Sequence, residues 1–452
     1  MASIQSPTRV LTLAAVLAGC LLAAVPAAAA TFTVNRTHDA VDARPGDGVC
    51  ETAPGNRICT LRAAIQEANA RPGADTVNVP AGTYTITLLN SVHEDRAVDG
   101  DLDITDSLTL TGAGAAKTII TTTRAPIDVG ERILHILGPI TVDIRGVTIR
   151  GASFLFFVDG GAIANIDATL SVTQSVITRG SVEGHGGGIF NNRGTVTIRE
   201  SRIAENFAEI GGGGGIANRD GTIIVIDSTI SNNATDEGEA AGLLNVQGTM
   251  MIVNSTIADN GAGENLAGGL FNDRGLVVVT NTTFTGNRSG TLDRDTSGGN
   301  IVNVDGTITL TNVTIARNGA AFPLPGGSRG GGLLNLRGRI TMHNSLLAHN
   351  MAENGPDCSG VITSLGYNII GNLAGCTFVR GPSDNVGDPR LGDFEPSTTP
   401  GRGHIPLLAG SAAIDRGLSP TCGAVDQLNQ SRRDGNAVGG TQCDRGAVEF
   451  QP

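Results

Sequence analysis

The chain has 452 residues, with 64 glycines, no tryptophan, two tyrosines and only 16% charged residues. That length would hold two or three ordinary domains, but so glycine-rich and aromatic-poor a composition fits an internal repeat better. A net charge of −12 is repelled by phosphate backbones and anionic bilayers, which argues against nucleic acid as a partner.

Residues 1–30 read as a secretory signal peptide. A short n-region carries Arg9, an apolar run extends from Val10 to Val25, Pro26 breaks it, and Ala28-Ala29-Ala30 precede Thr31. The LAGC run at 17–20 is a competing lipoprotein box that would anchor the chain through Cys20. Cleavage after Ala30 is favoured, because it removes Cys20 and leaves an even set of six cysteines in an exported chain. These fall as near neighbours, Cys50 with Cys59, Cys358 with Cys376 and Cys422 with Cys443, which suggests three local disulfides while leaving other connectivities open. No apolar run of membrane-spanning length follows the signal, so the chain is expected outside the cell or at its surface.

Residues 31–80 are expected to form an N-terminal cap. Within CTLRAAIQEANA (59–70), Leu61, Ala64, Ile65 and Ala68 stand at i, i+3, i+4 and i+7, the stripe of a short amphipathic helix. Such a helix would seal the open end of a repetitive core.

From 81 to 350 the chain repeats with a period of about 27 residues. Val142, Leu170, Val196, Ile223, Met250, Val277, Ile308 and Ile340 form one apolar column. Two residues on, Ile144, Val172, Ile198, Val225, Ile252, Val279, Leu310 and Met342 form a second, the i, i+2 mark of one strand face. A third runs from Ile149 through Ile177, Ile203, Ile230, Ile257, Phe284 and Ile315 to Leu347. The period is too short for a four-stranded blade and lacks helical spacing, so it predicts one turn of a parallel β-solenoid, each strand pairing with its copy in the next coil. Two asparagine columns accompany the apolar ones, from Asn165 to Asn335 and from Asn206 to Asn350. They are expected at the corners, where Asn accepts left-handed backbone angles and stacked amides bond coil to coil. The Gly-Gly pairs before each first strand, as in GGGIFNN (186–192), would let neighbouring backbones approach closely.

Residues 351–452 are expected to finish the solenoid and cap it. Here a resemblance enters. The segment VNRTHDAVDARPGDGVCETAPGNRICTLRAAIQEANA (34–70) resembles the N-terminal region of bacterial exported β-helix proteins named for a CSLREA motif, with CTLRAA in its place. IPLLAGSAAIDRG (405–417) with CDRGAVEF (443–450) is similar to the choice-of-anchor region of such proteins, and GGAI (160–163) resembles the repeat signature of polymorphic outer-membrane proteins. The resemblance implies an all-β, single-stranded, right-handed parallel β-helix of the pectate-lyase-like class, with a disulfide-containing cap at each end.

Candidate chemistry lies in the loops between the second asparagine column and the next Gly-Gly. They gather Glu183, His185, Glu209, Asp236, Glu237, Glu239, Glu264, Asp293 and Asp295 on one ridge, with Arg288 and Arg294 among them. Carboxylates on adjacent coils suit acid and base work on a glycosidic bond, or Ca²⁺ held against an acidic sugar while an arginine takes a proton. The plainer alternative is a solvated acidic surface. Asp99, Asp101 and Asp103 alternate like a calcium loop but lack the glycine and distal glutamate of an EF-hand. No cofactor is required on this reading, and calcium is the one ion with candidate ligands. The leading expectation is a non-catalytic surface or matrix protein binding extracellular polysaccharide or cell-surface glycans. A polysaccharide lyase or glycoside hydrolase is the second reading, and a structural spacer the third.

Overall fold

The computed structural model describes residues 29–88, 94–122, 132–151, 158–263, 267–290, 298–320, 328–432 and 442–451. The signal peptide expected over 1–30, with Cys20, lies almost wholly outside them. Every pairing between the strands is parallel, each strand lying against its copy one coil away. In a typical coil the strands are Ile189–Asn192, Thr195–Arg199 and Arg202–Ala204, with a two-residue fourth at Phe207–Ala208 in a separate narrow sheet. This is the parallel β-helix expected from the period.

The apolar columns are in register as read. Leu170 pairs with Val142 on one side and Val196 on the other, Ile177 with Ile149 and Ile203, and the residues of all three columns are buried into one continuous core. A fourth core column, Leu134, Ile163, Ile189, Ile216, Leu243, Leu270, Ile301 and Leu333, comes from the first strand of each coil. Burying each such aliphatic side chain contributes about 1.5–3 kcal/mol.

The asparagines correct one expectation. Asn165, Asn191, Asn218, Asn245, Asn272, Asn303 and Asn335 are not the left-handed residues. They sit within or at the end of strands with their side chains inward, and each Nδ2 donates to the Oδ1 of the next at 2.8–3.0 Å. The left-handed angles fall on the next corner residue, Asp167, Arg193, Asp220, Gln247, Arg274 and Asp305, with φ between 52° and 61°. An inward amide needs strand geometry to reach its neighbour, whereas a left-handed residue turns its side chain to solvent, where charge costs little. The ladder also explains the glycine that follows, since a Cβ on Gly194 would stand 2.3 Å from Asn165 Nδ2. A second amide ladder runs from Asn206 to Asn350 and ends on the Asp357 carboxylate. A third, of hydroxyls, links Ser175, Ser201, Ser228, Ser255 and Thr282 through backbone N–H donors.

The predicted helix spans Leu61–Ala70, capped by the Thr60 hydroxyl, and buries Leu61, Ala64, Ile65 and Ala68 against the first coils. Arg62 is fully buried, bonded to Asp39 and to the carbonyls of Ala97, Gly100 and Asp101. All three near-neighbour disulfides are formed, Cys50–Cys59, Cys358–Cys376 and Cys422–Cys443.

Coil strands continue to Asn385–Val386. The chain then turns back along the flank, over a column of stacked threonines. Thr229 accepts from Gly401 N, Thr256 donates to Gly403 O, Thr283 donates to Gln427 Oε1, and Thr314 accepts from Ala447 N. Arg432, fully buried, fastens this segment through Glu449 Oε1 at 2.8 Å, Asn281 Oδ1 at 3.1 Å and the carbonyls of Gly446 and Ala447. Asp415, Asp426 and Asp444 take backbone and side-chain roles around the same knot.

Candidate functional site

The acidic ridge is only partly assembled by the described residues. Glu209 N donates to Val182 O and Glu237 N to Glu209 O, which carries Glu183, Glu209 and Glu237 up successive coils. Partial desolvation, then the charges of Glu183, Asp236 and Glu237, push the Glu209 carboxyl above its usual range. Asp236, Glu237 and Glu239 are exposed. Glu264, Asp293, Arg294 and Asp295 lie outside the described residues. Ser328, from the G-x-S-x-G run at 326–330, is buried and its hydroxyl accepts from Glu353 N, a loop-capping role.

The three aspartates read as a calcium loop face different partners. Asp99 Oδ1 accepts from Gly100 N, Asp101 pairs with Arg132 at 3.4 Å, and Asp103 accepts from Ala97 N and lies 3.2 Å from His135 Nδ1.

A more complete arrangement lies where the loops meet the outward face of the first strands. Asp159 and His185 occupy equivalent places on adjacent coils, 26 residues apart, and Arg219 ends the first strand of the next coil. Asp159 Oδ1 accepts from His185 N at 2.6 Å and from His185 Nδ1 at 3.1 Å. His185 Nε2 lies 3.2 Å from Arg219 Nη2. A guanidinium only donates, so Nε2 accepts and the imidazole proton sits on Nδ1, facing Asp159. Burial alone would raise the Asp159 carboxyl. The hydrogen bonds from His185 and the nearby charge of Arg219 outweigh it and hold the carboxyl below its ordinary value. Arg132, Val158, Asp159, Ala164, Ile166, Phe190 and Asn192 line the adjoining cleft of about 290 Å³. Its walls combine guanidinium and amide donors with an aromatic ring, the mixed lining of a small polar-ligand site.

Farther along the helix the same outward column becomes apolar. Phe190 is followed by Ala217, Leu244, Phe271, Val302 and Leu334, which pack into a buried cluster of their own. Glycines make that cover thin: a Cβ on Gly213 would meet Ala217 Cβ at 2.8 Å, and one on Gly298 would meet Val302 Cγ2 at 2.6 Å.

No protein-family model and no curated protein matches the chain. Among solved structures it is similar to the crystal structure of pectate lyase Pel9A, with TM-score 0.43 and 14% identity, over 92% of this chain and 98% of that one. Similarity of that degree carries no argument about activity, and the fold rests on the strand pairing itself.

Sequence reading placed His185 on the ridge but missed Asp159, Arg132 and Arg219. The signal was present in the register: Asp159 and His185 are separated by the same 26 residues as Asn165 and Asn191. Among the described residues no helix is long and apolar enough to cross a membrane.

Proposed function

We propose that the chain is an exported β-helix protein that binds extracellular polysaccharide or cell-surface glycan at the cleft beside Asp159, without cleaving it. One observation carries this reading: both imidazole nitrogens of His185 are engaged, one by Asp159 and one by Arg219, so the histidine braces the cleft and offers no lone pair to a substrate proton. Arg132 and Asn192 supply donors, and Phe190 an apolar wall, for a hydroxyl- or carboxylate-bearing ring. Export is supported by the signal-like N-terminus and by three disulfides, which persist in oxidising compartments.

The test incubates residues 31–452 with Ca²⁺ and a panel of acidic and neutral polysaccharides, following chain length by size-exclusion light scattering. Intact chains that co-elute with the protein are expected. Shortened chains would overturn the reading in favour of a polysaccharide lyase or glycoside hydrolase, and intact chains that elute apart would favour a spacer. The raised Glu209 carboxyl among Glu183, Asp236 and Glu237 is the observation that favours the enzymatic alternative, since acid catalysis needs such a group.

A further inference from the structure

A second cluster, one coil nearer the N-terminus, is not used by the glycan reading and stands without it. Asp103, in the strand Leu102–Ile104, pairs in register with His135, in Leu134–Leu137, so both side chains rise from the same column of the outward face. His135 Nδ1 lies 3.2 Å from Asp103 Oδ1 and 3.8 Å from Asp95 Oδ1, and the three ligand atoms fall within 4.8 Å of one another.

Charge is the second observation. The Asp103 side chain is fully buried, and His135 is its one ion-pair partner among the described residues. The nearby guanidinium of Arg62 is committed to Asp39 and to backbone carbonyls, and that of Arg132 faces Asp101 at 3.4 Å. Two carboxylates, one of them fully buried, thus converge on one imidazole, an arrangement that a bound cation would satisfy. The loop that brings Asp95 is fixed, because Ala97 N donates to Asp103 Oδ2 and Ala97 O accepts from Arg62 Nη1 and Gln66 Nε2.

We propose that Asp95, Asp103 and His135 form a binding site for a divalent transition ion of the zinc type. One imidazole nitrogen and two carboxylate oxygens are ligands that zinc takes with a fourth position left to water, whereas calcium requires six or more oxygens. His135 Nδ1 gives up its proton, or the tautomer carrying it on Nε2 is adopted, and Asp95 closes by a small movement of an exposed side chain.

Untagged protein stripped with EDTA and dialysed is titrated calorimetrically with Zn²⁺, with Mn²⁺ and Ca²⁺ in parallel. One zinc per chain is expected, bound more tightly than calcium, and weakened at least about tenfold in both H135Q and D95N. Asp95 is exposed, so D95N keeps the test valid even if changes at the buried positions disturb folding. Absence of a one-to-one zinc isotherm, tighter binding of calcium, or zinc binding unchanged in D95N overturns the proposal.

Discussion

The coils and the C-terminal flank both bury polar groups, in opposite ways. In the central coils, from Asn165 to Asn335, the laddered polar groups are neutral amides and hydroxyls, each held by its copies above and below. On the flank they are charged and concentrated, with Arg432, Asp444 and Glu449 packed into one knot beside the threonine column. A repeated neutral contact fails locally when broken. A single charged knot leaves its partners buried and uncompensated, so the whole segment depends on it.

The largest effect should therefore come from Arg432→Ala, which removes the buried donor to Glu449, Asn281 and the carbonyls of Gly446 and Ala447. A loss of about 3–5 kcal/mol is expected, seen in thermal unfolding and in rapid proteolysis after residue 388 while the coils resist. Loss confined to a few tenths would place the flank's grip in the threonine column instead. Asn245→Ala, in the middle of the first ladder, should cost less, about 1–3 kcal/mol, because it removes the donor to Asn272 Oδ1 and one of the acceptors of Asn218 Nδ2. Chemical denaturation measures it, and a cost equal to that of Arg432→Ala would erase the contrast.

Protons offer a gentler probe of the same knot. Burial pushes the Asp444 carboxyl up to about 6, and burial with the Asp444 charge pushes Glu449 up to about 8, although Arg432 pulls both down. Groups whose folded value is raised stabilise most fully below their ordinary values of 3.8 and 4.5, and that contribution is lost as pH rises through 6 and then 8. Amide exchange in residues 402–432 and 442–450 should accelerate between about pH 4 and pH 8 relative to intrinsic rates, while the coil amides, held by neutral ladders, stay protected. Uniform acceleration would contradict the assignment.

Two surface changes should leave stability almost untouched. Arg219→Ala is expected to weaken glycan retention about tenfold with little shift in melting temperature, since it frees His185 Nε2 and alters the cleft. Asp236→Asn with Glu239→Gln, on the exposed ridge, should change stability by no more than about 0.5 kcal/mol. A larger loss would mean that the ridge packs against something.

The coils were legible because their chemistry repeats: the spacing of Val142, Leu170 and Val196 is enough to mark a buried column. The left-handed corners were misassigned to the laddered asparagines because Asn suits both roles. Only the requirement that Asn165 reach Asn191 puts it in a strand and leaves the turn to Asp167. Asp159, His185 and Arg219 come from three coils and look unrelated in sequence until the register is imposed. Arg432 was unreadable for the opposite reason, since it sits in a segment with no period to align and its partner Asn281 lies 151 residues away.

The amide ladders have a direction. In both, each rung donates one side-chain hydrogen bond to the Oδ1 of the following coil, from Asn165 to Asn335 and from Asn206 to Asn350. Because each rung is interchangeable with the next, duplicating or deleting a whole coil of about 27 residues restores every bond in the series. Between the N-terminal cap and Arg202, where the returning flank first touches the coils, the molecule behaves as a ruler whose length can be reset in increments of about 4.8 Å, one coil at a time.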